Sequence, residues 1–192
     1  MDPFAFDRYL VRRKFLQFVH TDFYLHGPSG EIALWGRKKG FKLKEDIRLY
    51  EDAGMQREVL SIQARQALDF SGTYDVVDSR ERRKIGALRR KGLRSILRDE
   101  WHLLDPEDRQ VGVMQEDSAG LALLRRFLTN LVPQRFDVSV GGETVAEVNQ
   151  HFNLLHYRLD LDFSRDAGRR LDRRLGIAAA SLLATIEGRQ SD

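Results

Sequence analysis

Residues 175–186, Leu-Gly-Ile-Ala-Ala-Ala-Ser-Leu-Leu-Ala-Thr-Ile, carry no charge and are apolar on every side of a helix. They follow directly on residues 157–163, Tyr-Arg-Leu-Asp-Leu-Asp-Phe, whose alternation is that of a half-buried strand. A bilayer span needs about 20 apolar residues, and runs of about 10 to 14 are core helices. The stretch is therefore expected to be a soluble core helix over about residues 167–187. Alanines at 178, 179, 180 and 184 give it a thin cross-section suited to tight enclosure.

What encloses it is written in the preceding chain. One phrase recurs: an aromatic opening, alternating aliphatics, a turn of Asp, Gly, Pro or Ser, then a second aliphatic run. Residues 23–34, 74–88, 101–114 and 136–148 are copies, and residues 42–65 are a looser one. Each reads as a β-hairpin. Side chains alternate faces along a strand, and the turn residues supply the backbone angles that reversal demands. With a strand at each end of the array, near residues 9–13 and 155–163, the count is about twelve, mostly antiparallel. So many strands with one apolar face are expected to close into a barrel whose lumen the C-terminal helix fills. Residues 119–128 are also helical in pattern, but Arg125 and Arg126 give them a wet face, so they are expected outside.

The 192 residues and their 42% hydrophobic content fit one domain over the whole chain. There is no cysteine, which removes disulfides, thiolate catalysis and cysteine zinc sites. Residues 1–8 hold acid early and reach no apolar run, unlike a signal peptide, so a cytoplasmic protein is expected, peripheral to a membrane surface if it binds one.

The order of the hairpins, Ile85-Gly86-x-Leu88-Arg89-Arg90, Val111-Gly112, and Asp160-Leu161-Asp162 running into the apolar helix together resemble the LURP-one-related and phospholipid scramblase-like group of the tubby C-terminal superfamily. The resemblance implies a mainly β protein, a twelve-stranded antiparallel closed barrel around a buried C-terminal helix. Tubby domains bind phosphoinositides, and scramblases are associated with lipid transport and calcium. The chain departs from scramblases at residues 151–159, His-Phe-Asn-Leu-Leu-His-Tyr-Arg-Leu, which lack their cluster of oxygen ligands. The cysteine-rich stretches and proline-rich leaders of scramblases have no counterpart in these 192 residues.

Charge is unevenly spread. Residues 80–98 hold nine cations against Glu81 alone, a local +8 in a chain of net +3. Arg80, Arg82, Arg83, Lys84, Arg89, Arg90, Lys91 and Arg94 are the candidate anion-binding residues, with a smaller cluster at Arg37, Lys38, Lys39, Lys42 and Lys44. Such a patch attracts phosphate-rich surfaces, anionic lipid headgroups first and phosphorylated ligands generally. Aromatics barely interleave with residues 80–98, so a base-stacking platform is disfavoured there, and nucleic acid is not expected as a partner of this protein. The expected function is a non-enzymatic binding module for phosphoinositide-like headgroups. The alternative is a scaffold that binds a protein partner at the barrel rim.

Enzyme signatures are missing: there is no Gly-x-Ser-x-Gly elbow, Walker loop or Gly-x-Gly-x-x-Gly before a helix. A hydrolase site in the barrel mouth is disfavoured accordingly, and no cofactor is expected. The histidines at 20, 26, 102, 151 and 156 lack metal spacing and read as packing or surface groups. Asp160 and Asp162 share a strand face and are weak metal candidates, but calcium wants six to eight oxygens. Their ordinary role is a polar strand edge whose acid complements the N-terminus of the next helix.

Overall fold

The computed structural model describes residues 2–14, 20–39, 45–66, 72–91, 100–117, 134–151 and 156–186. Among these residues are twelve strands and one helix: β1 (Arg8–Lys14), β2 (His20–His26), β3 (Ile32–Lys39), β4 (Asp46–Tyr50), β5 (Glu58–Ala64), β6 (Thr73–Asp78), β7 (Arg83–Arg90), β8 (Glu100–Leu104), β9 (Gln110–Glu116), β10 (Arg135–Val140), β11 (Glu143–His151), β12 (His156–Asp162) and α1 (Arg173–Ile186). Each strand pairs antiparallel with its sequence neighbour. β1 then pairs with β12 along its whole length, from Arg8 opposite Asp162 to Lys14 opposite His156, and closes the barrel. The helical pattern at residues 119–128 lies outside the described residues.

Period-two alternation decides which face turns inward. In β1, Tyr9 and Val11 point to the lumen while Leu10 and Arg12 face out; in β2, Phe23 and Leu25 point in and Tyr24 out. The lumen is filled by α1, whose Leu175, Ile177, Ala178, Ala179, Ala180, Leu182, Leu183 and Ala184 are all buried. The barrel around a buried helix expected from the sequence is thus present, and no helix among the described residues is long and apolar enough to cross a membrane.

Call the near end of the barrel the one where the chain passes from β12 into α1. The turns β2–β3, β4–β5, β6–β7, β8–β9 and β10–β11 also lie there. Each of these five hairpins has a register shift beside its turn, at Leu25/His26, Leu49/Tyr50, Val76/Val77, Leu103/Leu104 and Val138/Ser139. Such bulges bend and twist strands, which is what closing a sheet requires. Gly141 and Gly142, both at positive φ (60° and 83°), form the tightest of the turns. Gly86 permits a close crossing, since a Cβ there would lie 2.3 Å from the Leu104 carbonyl oxygen.

The helix begins at Arg173, later than the expected 167, because two aspartates hold the preceding backbone in turns. Asp166, buried, accepts the N–H groups of Arg170 (2.9 Å) and Leu171 (3.1 Å). Asp172 accepts that of Arg174 (2.9 Å) as the N-cap. Asp166 also accepts from Arg173 Nη1 at 3.0 Å, and Arg173 Nη2 donates to Asp7 at 2.8 Å. The helix start is thus tied to the segment before β1.

Candidate anion-binding wall

The cations of residues 80–98 do not form one patch. Arg80, Arg82 and Arg83 stand at the β6–β7 turn on the near end, whereas Arg89, Arg90 and Lys91 stand toward the far end of β7. Seven residue steps separate Arg82 from Arg89, about 23 Å along an extended strand. Arg94 lies outside the described residues, as does Arg98.

Most of the described members are also engaged. Arg80 donates to Asp78 and lies over the Phe4 ring at 5.1 Å, and Arg83 pairs with Glu81 at 2.7 Å. Lys84 joins Arg65 on Asp108, whose carboxyl their hydrogen bonds hold down at about 2. Arg90 covers the buried Trp101 at 5.8 Å, and Lys91 pairs with Glu100 at 3.0 Å. Burial would raise Glu100, but donors from His102 and Lys91 outweigh it and hold it low. Arg82, at φ 52°, and Arg89 are the members without a hydrogen-bond or ion-pair partner among the described residues.

The smaller cluster is spoken for as well. Arg37 holds Asp22 in a two-pronged bond (2.7 and 2.8 Å), and Lys39 lies 3.8 Å from Asp46. Lys38 turns into the lumen, where its Nζ donates to Glu45 (2.5 Å) and to the Thr185 carbonyl (3.4 Å). A cation there complements the negative end of α1. Lys42 and Lys44 lie outside the described residues.

Asp160 and Asp162 both face out from β12, as expected, and each meets a cationic or N–H partner. His151 Nε2 bonds Asp160 at 2.5 Å. Arg8 pairs with Asp162 at 3.0 Å and the Ser164 N–H donates to it at 2.7 Å. Burial would raise Asp162, but these donors hold it below the usual carboxylate range. Among the described residues no group of three His, Cys, Asp or Glu is placed to hold a metal.

The same wall carries what the linear charge count does not reveal. Arg12 on β1 stands directly opposite Arg158 on β12, with no hydrogen-bond or ion-pair partner for either among the described residues. Like charges directly opposite on neighbouring strands are destabilising. Arg158 Nε is buried with no acceptor, which also costs free energy. Arg12 borders an outer groove of about 510 Å³ over Leu10, lined further by Arg8, His26, Asn149 and Asp160. Two uncompensated guanidinium groups side by side are a ready fork for an oxyanion.

The row continues beyond the arginines. Tyr24 on β2 is opposite Arg12, Trp35 on β3 is opposite Tyr24, and Tyr50 on β4 is opposite Trp35. All three rings face out and are partly exposed. These five residues lie far apart in the chain, and the outward phase of each strand is their only trace in the sequence. Arg158 joins the row only through the β1–β12 closure.

A scan against protein-family models found no match, and a search of curated proteins found none either.

Proposed function

We propose that this protein is a non-enzymatic binding module that holds phosphate groups on the outer wall of β12 and β1. The observation that carries the reading is the Arg12–Arg158 couple: two opposed guanidinium groups with no counter-ion among the described residues, one of them with a buried donor that finds no acceptor there. A tetrahedral oxyanion would relieve the repulsion between them, since each guanidinium presents a planar fork of donors. Residues 80–98 support it less, because their described charges are divided between the two ends and largely neutralised by Asp78, Glu81, Glu100 and Asp108. Membership of the LURP-one-related and scramblase-like group is part of the same proposal, supported by the twelve-stranded barrel and its central helix.

Binding to inorganic polyphosphate, and to acidic against neutral vesicles, tests this as salt is raised. The double variant Arg12→Gln/Arg158→Gln is expected to lose affinity at least tenfold and to flatten the salt dependence, whereas Arg82→Gln/Arg89→Gln retains both. Wild-type affinity in the first double variant would refute the assignment.

A further inference from the structure

We propose that the wall running from β12 through β1, β2 and β3 to β4 is a platform for single-stranded nucleic acid, with phosphates on Arg158 and Arg12 and bases on Tyr24, Trp35 and Tyr50. This rests on the phosphate reading above and names its ligand.

The register is the argument. Arg158, Arg12, Tyr24, Trp35 and Tyr50 occupy consecutive strands as directly opposed partners, so they form one unbroken row. At about 4.8 Å between strands, the four steps run about 19 Å around the wall. A basic segment at one end and rings in succession at the other is the composition that binds single strands without reading sequence. Cations track the backbone while each base offers a π-face to an aromatic side chain. The scarcity of aromatics beside residues 80–98 disfavours base stacking there; on this wall they are adjacent to free arginines.

The surroundings keep the row available. None of the three rings is taken up in a ring–ring or cation–π contact among the described residues. The next row toward the far end is closed by ion pairs, Arg37 on Asp22 and Arg48 on Asp46 and Glu58, which give a polar rim without spare charge. Burial, then the Glu58 carboxylate, push the Tyr50 phenol up, so its ring is neutral beside a phosphate chain at ordinary pH.

Other polyanions fit less well. A lipid surface is held by a broad apolar face that enters it beside basic residues, yet among the described residues the large hydrophobic that stands exposed is Val111 on β9, four strands from β1. Duplex nucleic acid hides its base faces in the stack, which would leave the three rings without a partner.

Trp35 provides the readout, because the other tryptophan, Trp101, is 3% exposed and shielded. Titration with an oligothymidylate of about twelve nucleotides, within single-strand site sizes, is expected to quench Trp35 fluorescence. An abasic phosphodiester of equal length is expected to bind at least tenfold more weakly and without quenching. Trp35→Ala is expected to weaken oligothymidylate about 5- to 150-fold while Trp35→Phe retains most of the affinity, circular dichroism reporting that both are folded. Arg12→Gln/Arg158→Gln is expected to lower the salt slope by about 1.4. Equal affinity for thymidylate and the abasic strand overturns the stacking proposal and leaves the phosphate reading standing. Binding to neither strand, to polyphosphate or to acidic vesicles overturns both. Preference for acidic vesicles or duplex over the single strand, with Trp35 unquenched, overturns the nucleic-acid assignment alone.

Discussion

Replacing Asp166 by alanine removes a carboxylate that is 1% exposed and accepts three donors at the junction of barrel and helix: Arg170 N–H at 2.9 Å, Leu171 N–H at 3.1 Å and Arg173 Nη1 at 3.0 Å. Truncating one partner of a buried ion pair costs about 3–5 kcal/mol, because the other charge is left unpaired. Arg173 keeps its 2.8 Å bond to Asp7 and its position 4.4 Å over the Phe163 ring, so the lower half of that range applies. The Arg170 N–H is near the surface and can turn to water, but Leu171 is 2% exposed and its N–H loses its acceptor. The expected loss is about 3–4 kcal/mol. In a chain of this length each kcal/mol lowers Tm by about 2–4 °C, so the midpoint should fall by about 6–16 °C. Urea unfolding followed by circular dichroism gives the free energy directly, with Asp160→Ala as the control. That residue is about half-exposed and, among the described residues, meets His151 alone, so its removal should cost less than about 1 kcal/mol. If Asp166→Ala is no more costly than Asp160→Ala, the idea that this carboxylate fastens the helix to the barrel is wrong.

Two more outcomes follow from the same geometry. Gly86→Ala puts a Cβ 2.3 Å from a backbone carbonyl that cannot step aside, so it should cost about 3 kcal/mol or more. Gly30→Ala, with nothing within 4 Å but a φ of 85°, should cost about 1 kcal/mol, and equal urea midpoints for the two would contradict the close crossing. Acidification tests the paired carboxylates. Burial would raise Asp78, but the Glu81 N–H, Arg80 and Arg174 outweigh it and keep it below its ordinary 3.8, while Asp108 sits at about 2. Both are more acidic folded than unfolded, so their contribution is complete above about pH 4 and is lost as pH falls toward 2. Asp137, raised by burial and by Asp117, opposes this just above that window. A urea midpoint that stays flat from about pH 5 down to 2 would refute the assignment.

The barrel was legible because its signals are local. Phe136, Val138 and Val140 alternate with polar residues inside six positions, and Gly141-Gly142 marks the reversal, so the hairpin can be read without its neighbours. The helix was legible for the same reason, although its start was not. Asp166 and Asp172 draw backbone N–H groups into turns, and composition alone cannot tell such acids from helix residues. The basic surface was the least legible. A run of cations along the chain becomes, in a strand, a line along the barrel axis with alternate residues facing opposite ways, so linear density of charge is not surface density. Arg12 and Arg158 are 146 positions apart in the numbering and directly opposite in space. No local window contains both.

The β1–β12 seam carries a consequence for how the chain reaches this shape. β1 has no outer partner until β12 exists, and α1 is made after both, so no shorter set of strands encloses the lumen. At about 5–20 residues per second, roughly 7–30 s of synthesis separate the two halves of the seam. During that interval the growing sheet shows an open edge at each side and an inner face of Phe23, Leu25, Leu34 and Ile62 with nothing against it. The molecule therefore has to be assembled late and all at once, from contacts of the longest range its length allows. Its most vulnerable state is a nearly complete barrel that has not yet received its plug.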